Sequence, residues 1–212
     1  MIAALDTTEV LARYEEAEAH GRAHVERVMK YCRVIARSIK DTDPIVADGL
    51  VEIDMEALEL AAAYHDIARG KRSGGDHAED GAKFAAEMLK GVIDESRLQV
   101  ITSAIAEHNK PTRPTHIEGM ILQDADKLDC LGAIGLLRVI EFHPAASLQE
   151  IIRELQNWNL EWAGMFWTEP GRRMAASRLD YMRKFIGSIY SELSEVEGGN
   201  ANNSFNIRHG QV

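Results

Sequence analysis

Apolar residues recur every three or four positions along most of this chain, which is the spacing of an amphipathic helix. In segment 22–40, for example, Val25, Val28 and Ile35 fall on one face of a helix. Alternation of apolar and polar residues, the pattern of a half-buried strand, is nowhere convincing, and residues 45–51 come nearest to it. The sequence therefore predicts an all-α fold.

Capping residues divide the chain into a series of expected helices. Asp54, for instance, precedes an alanine-rich run and is a favourable residue for the start of a helix. The expected helices cover about residues 8–20, 22–40, 54–68, 78–90, 94–107, 117–122 with an irregular continuation into 127–141, 148–156 and 171–193. We expect a single domain over residues 1–195, with a core at about 20–140 and C-terminal helices at 145–195, followed by a loosely ordered tail at 196–212.

Composition excludes several classes of protein. The 212 residues are 45% hydrophobic, enough for one sizeable core, and the formal net charge of −10 disfavours nucleic acid and anionic membranes as partners. The apolar runs are too short for a transmembrane helix, and the charges of Asp6, Glu9 and Arg13 disfavour a signal peptide. Cys32 and Cys130 lack the spacing of a zinc knuckle, so we expect both to be buried. These features predict a cytoplasmic protein.

Five of the eight histidines fall in or beside the ends of expected helices, with acidic residues among them. They are His24, His65, His77, His108 and His116, accompanied by Asp66 and by the run "DADKLD" at residues 124–129. Imidazole and carboxylate groups without thiolates suit Mn, Fe, Co, Ni or Zn. Because neighbouring residues on a helix point about 100° apart, His65 and Asp66 can share an ion only if other helices supply further ligands.

These residues, in this order, resemble the HD superfamily of metal-dependent phosphohydrolases, whose signature is a distant His, an adjacent His–Asp pair and a later Asp. The matching segments are "AHVERV" with His24, "AAAYHDIARG" with His65 and Asp66, and "ILQDADKLDCLGAIG", over roughly residues 20–140. The family usually reads Ala-Asp-Arg/Lys-Leu in the last segment. The resemblance therefore implies an HD-domain helical bundle with Asp126 as a metal ligand. Asp124 stays open, either as the ligand in place of Asp126 or as a residue that contacts a ligand without binding the metal.

The resemblance also implies a second metal position. In the binuclear branch of the family, an HxxxG segment and a histidine that ends a later helix bind a second ion, and here "HAEDG" offers His77 with Gly81 while "AIAEHNKP" offers His108. Asp66 would then bridge both ions. The single-metal pyrophosphohydrolase branch, which "DADKLDCLGAIG" resembles more, does not need these two histidines. His77 could instead cap a helix, and His108 could interact with the negative end of its helix. The number of bound ions, one or two, therefore stays open.

Two further histidines have weaker signals. His20 lies four residues before His24, a spacing that suits metal binding on a helix. Its place at an expected helix junction nevertheless favours exposure to solvent. His116 follows a proline-rich loop and is expected to start a helix.

Positive groups that could bind phosphate lie beside the expected ligands. The run "ARGKR" supplies Arg69, Lys71 and Arg72, and Lys127 follows Asp126. We expect Arg69 and Lys127 to contact the substrate, in a catalytic site with His65 and Asp66.

The sequence as a whole predicts a hydrolase that cleaves a phosphoester or phosphoanhydride bond in a small phosphorylated substrate, by preference a nucleotide. One or two divalent transition-metal ions would activate a hydroxide. Two alternatives stay open: a regulatory module that binds a nucleotide without turnover, and a di-iron oxygenase on the same scaffold. The sequence determines neither the exact substrate nor the oligomeric state.

Overall fold

The computed structural model describes residues 7–14, 20–42, 52–69, 76–162 and 164–196. Within these ranges every regular element is a helix, and the one strand-type pairing is an isolated bridge between Lys90 and Ile93, which confirms the all-α class. No helix in the described ranges is long and apolar enough to cross a membrane. Outside them lie the candidate strand at 45–51, the loop at 70–75 with Lys71 and Arg72, and the tail from residue 197.

The helices start close to the expected positions, whereas several of their ends differ. In chain order they are α1 (Thr8–Leu11), α2 (Arg22–Thr42), α3 (Met55–Tyr64), α4 (His77–Leu89), α5 (Glu95–Glu107), α6 (Ile117–Asp129), α7 (Gly132–Phe142), α8 (Leu148–Trp162) and α9 (Glu169–Val196). Aspartates cap three of them: the side chains of Asp54, Asp76 and Asp94 accept hydrogen bonds from first-turn amides of α3, α4 and α5. The cap of α4 is therefore Asp76 and not His77.

The end of α3 differs from expectation in a way that matters for the site. The helix stops at Tyr64 instead of continuing to residue 68. Beyond it, the amide of Ile67 donates to the Tyr64 carbonyl at 3.1 Å and the amide of Arg69 donates to the Asp66 carbonyl at 2.9 Å. These bonds join residues three positions apart, which is the tighter geometry typical of a frayed last turn. His65 and Asp66 thus lie in a turn just beyond the helix.

Other helix bounds also differ from expectation. α1 ends at Leu11, and His20, which was expected to end that helix, lies in a turn. At the other end of the chain, α8 and α9 run on to Trp162 and Val196, beyond the expected 156 and 193.

Small residues bring the central helices close together. α3 packs against α2, α5 and α6, and its Ala61, Ala62 and Ala63 are fully buried. Side chains of this size permit short distances between helix axes. At Gly81 in α4, a β-carbon would lie only 3.3 Å from the backbone oxygen of His65, so glycine lets α4 approach the His–Asp turn. The C-terminal helices α7, α8 and α9 pack against one another, and α9 also packs against α6 and α2.

The junction of α6 and α7 corrects one prediction. Residues 122–127, expected to be irregular, are continuous helix, and α6 runs to Asp129. Aspartates favour caps and turns over helix interiors, but tertiary contacts engage Asp124 and Asp126 here and stabilise the helix. The break comes at Cys130 and Leu131, before Gly132, whose φ of 71° lies in the left-handed region that favours glycine.

Candidate metal centre

Five elements bring the expected ligands together. His24 lies in the first turn of α2, His65 and Asp66 lie in the turn after α3, His77 starts α4, His108 follows α5, and Asp126 lies in the last turn of α6. Their donor atoms form two groups, His24–His65–Asp126 and Asp66–His77–His108, and His20 forms a third with His24 and Asp66; within each group all donor atoms lie within 4.8 Å of one another. Residues far apart in the sequence thus converge between the ends of neighbouring helices.

The first group has nearly the spacing of ligands around one ion. His24 Nε2 lies 3.3 Å from both His65 Nε2 and Asp126 Oδ1. The second oxygen of Asp66, Oδ2, lies 3.7 Å from His24 Nε2 and 3.8 Å from His65 Nε2. Ligands held at about 2.1 Å from a transition metal are separated by roughly 3.0–3.5 Å. Only small side-chain movements would be needed to close this set around a cation.

The second group is built on the other oxygen of the same carboxylate. Asp66 Oδ1 lies 3.5 Å from His77 Nε2 and 3.6 Å from His108 Nε2. The two oxygens of Asp66 therefore face two different sets of histidines. A carboxylate in this position can bridge two ions.

Backbone carbonyls fix which ring nitrogen faces the centre. His65 Nδ1 lies 2.8 Å from the Ala62 oxygen, and His108 Nδ1 lies 2.7 Å from the Ile105 oxygen. A carbonyl can only accept a hydrogen bond, so Nδ1 carries the proton in each ring. Nε2 then keeps its lone pair, as metal ligation requires.

Asp129, which the sequence did not single out, fixes which ring nitrogen of His24 faces the centre. It is fully buried and accepts hydrogen bonds from His24 Nδ1 and Arg27 Nε, both at 2.8 Å, and Arg138 Nη1 lies 3.0 Å from it. Burial would raise the pKa of Asp129, but the bonds from His24 and Arg27 hold it below its ordinary value. The sequence signal was its position three residues after Asp126 on the same helix, which places both carboxylates on one side.

Two buried polar atoms in the described part of the chain have no hydrogen-bond partner: Asp66 Oδ1 and His108 Nε2. They face each other at 3.6 Å. A buried polar group without a partner costs about 1–3 kcal/mol, and two such groups are left here when the His108 ring is neutral. A cation between them removes both penalties, so the donor set fits a divalent metal ion.

The pKa values of the histidines reflect the same surroundings. Burial lowers the pKa of His65 to about 4, so this ring is neutral at neutral pH. Burial acts in the same direction on His24 and His108, but the neighbouring carboxylates Asp126 and Asp66 outweigh it and raise both pKa values above the ordinary one. Protons and metal ions therefore compete for His24 and His108.

The alternative carboxylate, Asp124, lies elsewhere. It accepts hydrogen bonds from the backbone amides of Trp167 at 2.9 Å and Thr168 at 2.8 Å, and from the Thr168 hydroxyl at 2.7 Å. These bonds tie the segment before α9 to α6. Among the aspartates weighed from the sequence, Asp126 is the one that faces His24 and His65.

The two expected substrate contacts differ in their environments. Arg69 is exposed, and its Nη1 lies 3.1 Å from His77 Nε2 and 3.6 Å from Asp66 Oδ1, at the edge of the second group. Lys127 is buried, and its ammonium donates to Gln123 Oε1 at 2.6 Å and to the Met165 carbonyl at 2.9 Å. Burial lowers the pKa of Lys127 to about 8.

His20 was expected to be exposed, and it is half-buried. Only 25% of its side chain is accessible, and its Nδ1 lies 3.3 Å from Asp66 Oδ2. The reason is that the turn before α2 lies against the His–Asp turn, a contact that spacing along the sequence does not reveal. His116 precedes α6, as expected, but makes no side-chain capping bond.

Comparisons with known proteins concern the family and the fold of the chain. The HD domain model matches residues 21–131. YpgQ of Bacillus subtilis (strain 168) is 24% identical over 194 residues, which cover 86% of this chain and 89% of YpgQ. A solved structure described as a predicted HD superfamily hydrolase, from an uncultured Thermotogales bacterium, is 28% identical with a TM-score of 0.63, over 89% of this chain and 91% of that one. The structure of B. subtilis YpgQ in complex with ADP shares the fold with a TM-score of 0.66, at 21% identity over 90% and 94% of the two chains.

The matched range contains most of the residues that converge structurally. It includes His24, His65, Asp66, His77 and His108, together with Asp126. HD domains bind divalent metal ions, and the His/Asp groups here could hold them. The description of the Thermotogales structure as a predicted HD superfamily hydrolase supports a hydrolase at the general level. By the extent of the family match and by its fold, the chain belongs to the HD domain family.

Proposed function

We propose that the protein is a metal-dependent phosphohydrolase that cleaves a phosphoester or phosphoanhydride bond of a nucleotide. The observation that carries this proposal is the position of Asp66, whose two oxygens face two sets of histidines while one of them lacks any hydrogen-bond partner. His24, His65, Asp126 and Asp66 would hold one ion, and Asp66, His77 and His108 would hold another.

Bound ions would lower the pKa of a coordinated water and polarise a phosphoryl oxygen, which is the chemistry that phosphate hydrolysis needs at neutral pH. The chain's own task is to present ionised carboxylates and neutral imidazoles. Burial would raise the pKa of Asp66 and Asp126, but the surrounding histidines hold both values well below the ordinary one. Both side chains are therefore carboxylates at neutral pH.

The burial pattern favours approach of the substrate from one side. His24, His65 and His108 are inaccessible or nearly so, whereas the side chains of His77 and Asp126 are each 25% accessible. The phosphate would therefore meet the centre on the side of His77 and Asp126. A phosphate there carries several negative charges, so a cation must accompany it in a protein with a net charge of −10.

Arg69 is suited to that task because its guanidinium is exposed and already lies beside His77 and Asp66. A guanidinium can form two parallel hydrogen bonds with a phosphate. Lys127 follows Asp126 on α6, and its ammonium, which bonds to Gln123 and Met165 and lies over the Trp167 ring, would offer its third N–H to the phosphate. Both residues would orient the phosphate and neutralise its charge.

The choice of a nucleotide is supported by the YpgQ structure with ADP, because that protein shares the fold over most of both chains. A nucleoside di- or triphosphate also offers the negative charge that Arg69 and Lys127 would bind. We therefore expect turnover of a nucleoside phosphate, with orthophosphate or pyrophosphate as the released group.

The test is a nucleotide panel with protein stripped by a chelator and reconstituted separately with Mn²⁺, Fe²⁺, Co²⁺, Ni²⁺ or Zn²⁺. Nucleoside mono-, di- and triphosphates and cyclic nucleotides are the substrates, and ³¹P NMR identifies the products. We expect release of phosphate or pyrophosphate that requires the metal and is lost in Asp66→Asn. His116→Ala is the matched control, because His116 belongs to neither metal group.

Two other results would contradict the proposal and separate the alternatives. Binding of ADP without turnover under every metal condition would indicate a regulatory nucleotide-binding module. Consumption of oxygen by the iron-loaded protein, with no hydrolysis of any nucleotide, would indicate a di-iron oxygenase.

A further inference from the structure

The carboxylate of Asp66 is held asymmetrically. Among the described residues, the only hydrogen bond to its Oδ2 comes from His20 Nδ1 at 3.3 Å, whereas its Oδ1 accepts none. The histidines of the two groups lie farther from the carboxylate, at 3.5 to 3.8 Å from its nearest oxygen. Arg69 Nη1 also lies 3.6 Å from Oδ1. His20 is nevertheless the one described side chain whose hydrogen bond can set the rotation of this carboxylate about its Cβ–Cγ bond.

The rotation matters because each oxygen has a different task. With Oδ2 turned toward His20, Oδ1 is directed at His77 and His108. If the carboxylate rotated by a quarter turn, neither oxygen would keep this alignment with both groups of histidines. A single hydrogen bond from outside the two ligand groups therefore maintains the geometry of a bridge.

His20 is itself held in place. Its ring contacts the edge of Phe142 at the end of α7, with ring centroids 5.1 Å apart and planes at 84°, and it contacts His24 in a similar T-shaped arrangement at 5.8 Å. Such edge-to-face contacts are favourable for aromatic rings and restrict their orientation. The imidazole is therefore positioned before any ion or substrate binds.

We infer that His20 is a positioning residue of the metal centre: its Nδ1–H holds Asp66 in the orientation in which the carboxylate bridges two metal positions. It acts through Asp66 and need not touch an ion or the substrate. This inference rests on the two metal positions of the proposed function, but it does not depend on which reaction the centre catalyses.

The test compares three substitutions at His20. In His20→Asn, the amide nitrogen stands the same number of bonds from the backbone as His Nδ1, so the donor is kept. In His20→Gln the amide lies one atom farther out, near the position of Nε2, and in His20→Ala the donor is lost. His116→Ala serves as the control for removal of a histidine outside the cluster.

The readout is binding of Mn²⁺ alone, without nucleotide. Electron paramagnetic resonance measures free Mn²⁺ during a titration and, at low temperature, detects the signal of a spin-coupled pair of bridged ions. We expect wild type, His116→Ala and His20→Asn to bind two ions and show the coupled signal. For His20→Ala and His20→Gln we expect at least about tenfold weaker binding and loss of coupling, the usual size of effect when a hydrogen bond to a metal ligand is removed.

Two outcomes would overturn the inference. If His20→Ala keeps wild-type affinity and coupling, His20 does not position Asp66. If His20→Asn is as defective as His20→Ala while circular dichroism shows it folded, the imidazole acts in another way, for example as a ligand. Because no substrate is present, a protein that fails to hydrolyse nucleotides still gives a clear answer here.

Discussion

Individual residues with the same chemistry have different tasks in α6. Asp126 faces His24 and His65, Asp129 orients the ring of His24, and Asp124 binds the backbone before α9. All three are carboxylates in the single run "DADKLD", and the direction in which each points on the helix separates them. A candidate metal ligand, a residue that orients another candidate ligand and a structural anchor thus lie within one turn and a half of helix.

This separation predicts opposite effects for two neighbouring substitutions. Asp126→Asn removes a negatively charged metal-binding oxygen from the first group. It should weaken metal binding by at least about 100-fold, which is more than the loss of a residue that only hydrogen-bonds to a metal ligand. Asp124→Asn should leave metal affinity within about twofold but lower the free energy of unfolding by about 1–3 kcal/mol, because a buried acceptor of several hydrogen bonds is altered. Metal titration and urea unfolding of both variants measure these effects. The reverse ranking would show that Asp124 is the ligand.

The family pattern in the sequence was enough to place Asp126 beside the histidines, but it did not predict the contacts that Asp129 and His20 make. Their contacts join residues 105 and 46 positions apart, so nothing local in the sequence reveals them. His20 was expected to end a helix, but it lies in a turn, so the direction of its side chain could not be predicted. Side-chain contacts between distant elements depend on packing, which a single sequence does not specify.

At the level of elements, the turn between α6 and α7 controls how the C-terminal helices meet the metal centre. α7 starts at Gly132, and its Arg138 reaches back to Asp129 at 3.0 Å. A β-carbon at Gly135 would overlap the backbone oxygen of Cys130, which cannot move without distorting the turn. Glycine at this position thus allows α7 to fold back closely against the end of α6.

Gly135→Ala should therefore lower the free energy of unfolding by at least about 2 kcal/mol, because the added methyl group meets backbone atoms. Gly187→Ala in α9 is the matched control, since a β-carbon there meets no atom within 4 Å. It should be neutral or stabilise the protein by up to about 1 kcal/mol, as expected for alanine in an exposed helix. Chemical denaturation measures both. Equal stability of the two variants would mean that a methyl group at position 135 does not collide with the Cys130 backbone.

Which segments are helical was predictable, whereas their ends were not. The aspartate caps before α3, α4 and α5 mark the N-termini, but Tyr64 carries no signal for the end of α3. There the chain leaves the helix so that His65 and Asp66 can meet residues from other helices. A local pattern of alanines favours continuation, and only the tertiary contacts of the two ligands explain the turn.

For the whole molecule, metal binding and pH are linked through two histidines. His24 and His108 have raised pKa values, so their protonated forms stabilise the metal-free fold below about pH 6.5, and this contribution is lost as the pH rises through the raised values. Metal ligation requires both rings to be neutral. His65, with a pKa of about 4, holds no proton to displace near neutral pH.

The increase in melting temperature caused by a fixed concentration of Mn²⁺ should therefore be small at about pH 6 and should grow toward about pH 8. As the pH falls, the second position should lose its ion first, because it has three protein ligands and one of them, His77, is partly accessible. Differential scanning calorimetry in non-chelating buffers measures this trend. A shift that is equal at both pH values would contradict the assignment of His24 and His108 as ligands.

The most direct test of the central claim is the number of metal ions bound per chain. Protein loaded with Mn²⁺ and dialysed to equilibrium is analysed by inductively coupled plasma mass spectrometry, with His77→Ala and His108→Ala beside wild type and His116→Ala. We predict two ions for wild type and His116→Ala, and one tightly bound ion for each of the other two variants. One ion in wild type, unchanged in His77→Ala and His108→Ala, would contradict a centre bridged by Asp66 and leave a single metal at His24, His65 and Asp126.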